Sequence, residues 1–155
     1  MSTEIFVLSK IRLNSISEWQ RALDEEKFAI ELSRETPFES LNGFLPAMRG
    51  STATGFECDH ADVSELCDVY PGIDRSGSWI HVLCFRWGSH LDECFAAWMS
   101  ATAYAQATRG IIFDPQDDKI LTPSEARDVV NQMQRDLPAF EAVIRQMEEK
   151  FSIKF

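Results

Sequence analysis

Apolar and polar residues alternate near the start of the chain in the way that is typical of a β-strand. Over residues 5–13 the odd positions are mostly apolar, and the first even positions are apolar as well. This pattern predicts a strand whose first half is buried on both faces. A capping box over residues 15–18 then predicts a helix that carries apolar residues as far as Ile30 and ends before Pro37.

The middle of the chain predicts a β-hairpin, a short helix and a long strand. Phe44–Met48 and Thr52–Cys58 flank a glycine and are expected to form the hairpin. A capping box at Asp62 opens a short helix, which the residues at 70–72 end. Residues 78–87 are apolar on both faces, which indicates a central strand of the sheet.

The last third of the chain predicts two helices separated by short strands. Leu91–Thr108 is rich in alanine at helical spacing, and Gly110 stands where a glycine commonly follows a helix. Ile111–Phe113 is expected to be a short strand, with pairing resumed at Lys119–Leu121. A capping box at 122–125, with proline at the first helical position, predicts the start of the final helix.

The final helix carries one continuous apolar stripe. Its members recur at alternating steps of three and four residues: Val130, Met133, Leu137, Phe140, Ile144, Met147 and Phe151. We interpret the stripe as a face that packs on the domain's own sheet, because the flanking positions lack the charge pattern of a coiled coil. The alternative interpretation is the seam of a homodimer. Pro138 predicts a kink or a break near Leu137.

This order of elements predicts one domain spanning residues 1–155. The fold class is α+β, with a mostly antiparallel sheet of about four to five strands. Helices are expected chiefly on one face of the sheet, together with the long kinked C-terminal helix.

Charge and composition narrow the choice of partners. The chain has 155 residues and a formal net charge of −10, from 25 acidic against 15 basic side chains. Such a field repels phosphate backbones and anionic lipid, so we expect neither a nucleic-acid partner nor a membrane. No apolar run is long enough for a signal peptide or a membrane span, which predicts a cytoplasmic protein.

Residues that bear chemistry are present but scattered. Cys58 and His60 are close in sequence, yet His81 and Cys84 are expected on opposite faces of a strand, so a metal site would require distortion. Neither a nucleophile motif nor a glycine-rich phosphate loop occurs. We therefore predict no catalytic residues, no cofactor and no metal, and free cysteines that are mostly buried.

Acidic residues are concentrated between positions 57 and 74. This segment, called the acidic segment below, contains no Lys or Arg. Its six acids are Glu57, Asp59, Asp62, Glu65, Asp68 and Asp74. They are interpreted either as a solvated surface or as a binding surface for a basic partner, to which Phe56, Tyr70 and Trp79 would add apolar anchors.

Several short motifs resemble those of small bacterial immunity proteins of the polymorphic-toxin type, including those linked to type VI secretion. The likeness covers residues 44–126 and rests on motifs of turns and packing. These motifs are Phe44-Leu45-Pro46, Gly50, Gly55-Phe56-Glu57, Phe85-Arg86-Trp87 and, after the alanine-rich helix, Gly110 with Phe113-Asp114-Pro115-Gln116. The resemblance implies a cytoplasmic antitoxin without chemistry of its own, which binds a toxin domain and blocks its active site.

The leading prediction is therefore a non-enzymatic protein that neutralises a cognate toxin through the acidic segment. The alternative is a small enzyme or ligand-binding domain with a pocket between the sheet and its helices. That pocket would be lined by Trp79, His81, Trp87 and Trp98.

Overall fold

The computed structural model describes residues 3–73 and 77–151 and has an α+β fold built on one antiparallel sheet. Within these residues the sheet has seven strands, in the order β2-β3-β4-β5-β1-β6-β7. The strands are β1 (Thr3–Ser9), β2 (Ile30–Leu32), β3 (Asn42–Arg49), β4 (Thr52–Ala61), β5 (His81–Trp87), β6 (Ile111–Asp114) and β7 (Lys119–Leu121). The helices are α1 (Ile16–Glu25), α2 (Val63–Val69), α3 (Leu91–Thr108) and α4 (Pro123–Phe151). The predicted four to five strands were too few.

The strand missing from the prediction is β2, which was placed inside the first helix. Lys27 adopts a left-handed conformation with φ of 61°, and α1 ends at Glu25. The chain then turns back so that Ile30–Leu32 pairs with β3. The Gln20 side chain completes the turn, because its amide donates to the Ile30 carbonyl and accepts from the Leu32 amide, each at 2.8 Å. These long-range hydrogen bonds make residues 30–32 a strand, although their local sequence pattern is that of a helix.

The central strands are β1 and β5, as their two apolar faces predict. They pair along their whole length, from Thr3 opposite Trp87 to Ser9 opposite His81. The larger core lies on one face, where α1, α3 and α4 pack. The other face carries a smaller cluster, to which α2 contributes Leu66 and Cys67.

The alanine-rich helix α3 is buried on nearly all sides. Its small side chains allow the sheet, α1 and α4 to approach closely at once. The left-handed residue that ends the helix is Arg109, with φ of 55°, rather than Gly110. Gly110 is required for a different reason: a Cβ there would lie 2.4 Å from the Leu8 carbonyl oxygen.

The first part of the stripe on α4 packs on the domain's own core, whereas a later part is exposed. Val130 is buried, and Met133 and Leu137 pack partly against the core, as expected for a helix lying on its own domain. Phe140, by contrast, is 54% exposed. The helix continues through Pro138 without the predicted break, because the side of the helix that loses a hydrogen bond faces solvent.

Among the described residues, none of the helices combines the length and apolar character that crossing a bilayer requires.

Candidate functional site

The site forms on the face of the sheet opposite the larger core, called the outer face below. There α2 packs on β1 and β5 and borders the end of β4. Asp62 begins the helix, since its Oδ1 accepts a hydrogen bond from the Glu65 amide at 3.0 Å. Leu66 and Cys67 then anchor the helix on Phe6 and Cys84 of the sheet. The polar side of α2 is left facing outward beside the strands.

A guanidinium from β5 lies at the centre of the site. Arg86 donates from Nε to Oε2 of Glu4 at 3.0 Å and from Nη1 to Oδ2 of Asp59 at 3.2 Å. The Tyr70 hydroxyl donates to the other oxygen of Glu4 at 3.2 Å. Three elements and the end of α2 are therefore linked by one hydrogen-bonded network, which fixes the direction of each side chain.

The network also holds its members in defined protonation states. The hydrogen bond to Glu4 raises the pKa of Arg86 above its ordinary value. Burial, and after it the charge of Glu4, raises the pKa of the Tyr70 hydroxyl. Near neutral pH, Arg86 is accordingly a cation and Tyr70 a hydrogen-bond donor.

A cleft of about 250 Å³ opens between α2 and this network. Its lining residues come from β1, the end of β4, α2 and β5. They are Glu4, Phe6, Ala61, Asp62, Glu65, Leu66, Val69, Tyr70 and Arg86. The cleft is small and acidic at its rim, with an apolar floor, and its size suits a side chain rather than a large ligand.

Two residues of the acidic segment, Asp62 and Glu65, line this cleft. Glu57 and Asp59 project from the outer face of β4, while Glu65 and Asp68 belong to α2. Asp74 lies outside the described residues. Although the segment itself contains no Lys or Arg, the fold places Arg86 beside it, so Asp59 is already paired. Within the described parts of the chain, no ion pair is formed by Glu57, Asp62 or Glu65.

The predicted apolar anchors are only partly available. Phe56 is buried in the larger core, so its assignment to the surface was wrong. Tyr70 lines the cleft, and Trp79 packs against the smaller cluster.

The exposed anchors are Phe44, which is 58% exposed, and Val69, which is 66% exposed. Phe44 stands opposite Glu57 on β3, and its ring covers Gly55 so closely that a Cβ there would meet Cζ at 2.4 Å. An apolar ring thus lies at the surface over Gly55, beside the acids.

Sequence reasoning did not single out Glu4 and Arg86 as site residues. The signal for them was present, because each is a charged residue in a strand that is otherwise apolar on both faces.

The four residues proposed for an internal pocket do not come together. Trp87 and Trp98 are buried in the larger core, which fills the space between sheet and helices. Trp79 precedes β5 and packs on the opposite face of the sheet, because Ser78 is left-handed with φ of 53° and the strand begins only at His81. The prediction that Trp79 lines one pocket with Trp87 and Trp98 was therefore wrong.

The cysteines and histidines are also separated by the sheet. Cys58 faces the larger core, whereas Cys84 faces the smaller cluster. His60 makes a 2.8 Å hydrogen bond to the Phe38 carbonyl oxygen. All four cysteines are free, and three of them are buried. Burial raises the pKa of Cys84 to about 12, so this thiol stays protonated at neutral pH.

Comparison with protein-family models, with characterised proteins and with solved structures finds no match to this chain. The function is therefore argued from the cleft and its surroundings.

Proposed function

We propose that the protein is a non-enzymatic binding protein that recognises a basic surface of a partner protein through the cleft beside α2. The observation that supports this most directly is the set of carboxylates without an ion-pair partner in the described residues, Glu57, Asp62 and Glu65. They lie next to a network in which Arg86 is already neutralised. A partner cation therefore meets carboxylates that form no ion pair with any residue the structure describes.

The partner contact combines charge with apolar area. Val69 at the cleft and Phe44 across from Glu57 supply exposed apolar surface beside the acids. Interfaces of this kind derive most of their affinity from a few buried aromatic or aliphatic anchors, while charges steer association and set its orientation. We assign these two roles to the apolar pair and to the carboxylates respectively.

The resemblance to immunity proteins suggests what kind of partner the protein binds, namely a toxin domain. A secreted toxin, for example a nuclease that binds a phosphate backbone, presents a basic active-site surface. An acidic protein that covers such a surface blocks the toxin without performing a reaction. In this view the chain is the antitoxin and the toxin domain is its cognate partner.

The direct test is co-purification with the product of the neighbouring gene. Each protein is expressed with a different tag, and the complex is measured by calorimetry at low and at high ionic strength. We expect tight binding that weakens as salt rises, because screening acts on the exposed carboxylates. If no complex forms at low ionic strength, the antitoxin proposal is wrong.

We also propose that the second half of α4 pairs with a second copy of the chain. Phe140 and Met147 are 54% and 40% exposed, although they belong to the stripe whose first residues pack on the core. The three-and-four spacing of the stripe suits pairing with a second copy of the same face, and an apolar helix face of this length is ordinarily covered.

The expected result for the wild-type chain is a mass of two chains by light scattering, against 17.7 kDa for one. Phe140→Gln should shift the protein to the single-chain mass, whereas Ala139→Gln, on the neighbouring helix face, should not. A single-chain mass for the wild type at every concentration would exclude this pairing.

A further inference from the structure

A second and larger cleft lies just beyond the end of β1 at Ser9, whereas Glu4 of the acidic site lies near the start of that strand. It has a volume of about 620 Å³ and is formed by the end of β1, the residue before β5 and the C-terminal end of α3. Its lining residues are Lys10, Ile11, Trp79, Ala107, Thr108 and Arg109. Clefts that bind small molecules commonly have volumes of roughly 300–1,000 Å³.

The charge of this cleft is opposite to that of the whole chain. Its two charged lining residues, Lys10 and Arg109, are both cations in a protein with a net charge of −10. Within residues 3–73 and 77–151, neither has a carboxylate partner. The field at this point therefore attracts an anion.

The same cleft offers apolar surface. Ile11 is 56% exposed, and Trp79 and Ala107 form the adjoining walls. Ile80, next to Trp79, is also largely exposed. Exposed apolar side chains beside unpaired cations are complementary to a molecule that has an anionic head and an apolar body.

The backbone at Arg109 supports a role for its side chain. This residue occupies the left-handed conformation at the end of α3, with φ of 55° and ψ of 37°, where Gly or Asn is preferred. A larger side chain is disfavoured there by about 1 kcal/mol. Arginine at this position places a cation on the cleft at some cost in local stability.

We propose that this cleft binds a small amphipathic organic anion. The anionic head contacts Lys10 and Arg109, and the apolar body lies against Ile11 and Trp79. The concave shape favours a small molecule over an anionic membrane. Two basic residues attract a lipid surface only weakly, and the net charge of the chain opposes that attraction.

The test uses decanoate below its micellar concentration, measured by isothermal titration calorimetry. Decyltrimethylammonium, which has the same apolar chain and the opposite charge, is the matched ligand control. We expect saturable binding of decanoate at one site and binding of the cation that is at least about tenfold weaker. Equal affinity for the two molecules, or no saturable binding of decanoate, would overturn the proposal.

Variants then locate the site. Lys10→Gln combined with Arg109→Asn should weaken decanoate binding at least about tenfold, and asparagine retains the left-handed backbone. Ile11→Ser should weaken it several-fold. Arg21→Gln removes an exposed cation of α1 and should leave binding unchanged. The proposal fails if the double variant binds decanoate like the wild type, or if phosphatidylserine vesicles bind the chain while monomeric decanoate does not.

Discussion

Trp19→Ala is expected to lower the free energy of unfolding by about 3–5 kcal/mol, a large part of the total stability of a domain of this size. Trp19 is completely buried, and its indole Nε1 donates to the Ser100 carbonyl oxygen at 2.9 Å. Four rings surround it with centroid distances from 5.4 to 6.3 Å, namely those of Tyr104, Phe85, Phe38 and Phe56. Alanine would leave a cavity among them and remove the indole hydrogen bond to α3.

Urea unfolding followed by circular dichroism measures this loss. Trp19→Phe is the graded control, because it keeps most of the ring volume and removes the hydrogen bond; we expect a smaller loss from it. Val143→Ala, on the exposed part of α4, should change the free energy of unfolding by no more than about 0.5 kcal/mol under conditions that keep the chain monomeric. A loss below about 1 kcal/mol for Trp19→Ala would contradict the central position given to this side chain.

Neutralising Glu57, Asp62 and Glu65 together is expected to weaken toxin binding about 100-fold, if the proposed function is right. The variant combines Glu57→Gln, Asp62→Asn and Glu65→Gln. Close charge pairs across protein interfaces couple by about 1.5 kcal/mol or more, and two such pairs correspond to about two orders of magnitude in the dissociation constant. Calorimetry against the purified partner measures the change.

The choice of amides follows from the structure of α2. Asp62 caps the helix, so a lysine there would remove a hydrogen bond worth about 1 kcal/mol. A loss of affinity could then come from a less stable helix rather than from the lost charge. Asparagine retains the cap. The unfolding free energy of the triple variant should therefore stay close to that of the wild type.

A second triple variant separates local from overall charge. Glu25→Gln, Glu35→Gln and Glu141→Gln remove the same number of exposed carboxylates away from the cleft. We expect this control to bind with nearly wild-type affinity and a slightly slower association rate. Equal losses for the two variants would show that binding depends on net charge rather than on the cleft beside α2.

Helix starts were predictable because the interactions that form them lie within four residues. The Ser15 hydroxyl accepts from the Glu18 amide at 3.1 Å, and Asp62 does the same for α2. At α4 the capping is reciprocal, since Thr122 and Glu125 bond each other's backbone amides. Each of these bonds was visible as a short motif, and each prediction is confirmed.

Strand ends and faces were less predictable, because they depend on partners that are distant in sequence. The residues near Ile30 carry no sequence motif for its pairing with Arg49 or for the hydrogen bond that the Gln20 side chain donates to its carbonyl. The predicted position of Trp79 in a pocket with Trp87 was wrong for a related reason. Ser78, which precedes it, is left-handed, and the regular alternation of strand faces holds only from His81 onward.

At the candidate site, too, local features could be predicted from the sequence, whereas contacts between distant residues could not. The concentration of acids at 57–74 was evident from sequence, as was the capped helix that carries some of them. The position of Arg86 between Glu4 and Asp59 was not, because the three residues come from three strands whose register sets their distances. The same register buried Phe56 and left Phe44 exposed beside Glu57.

By itself, then, the sequence determined the α+β class, the helix starts, the central strands and the location of the acidic segment. These features depend on local hydrogen bonds and on the periodicity of apolar residues. Only the tertiary structure decided which carboxylates lack an ion pair among the described residues, which apolar side chains stay exposed, and where the acidic and the basic cleft form. Those properties arise from strand register and helix packing, which bring together residues that are far apart along the chain.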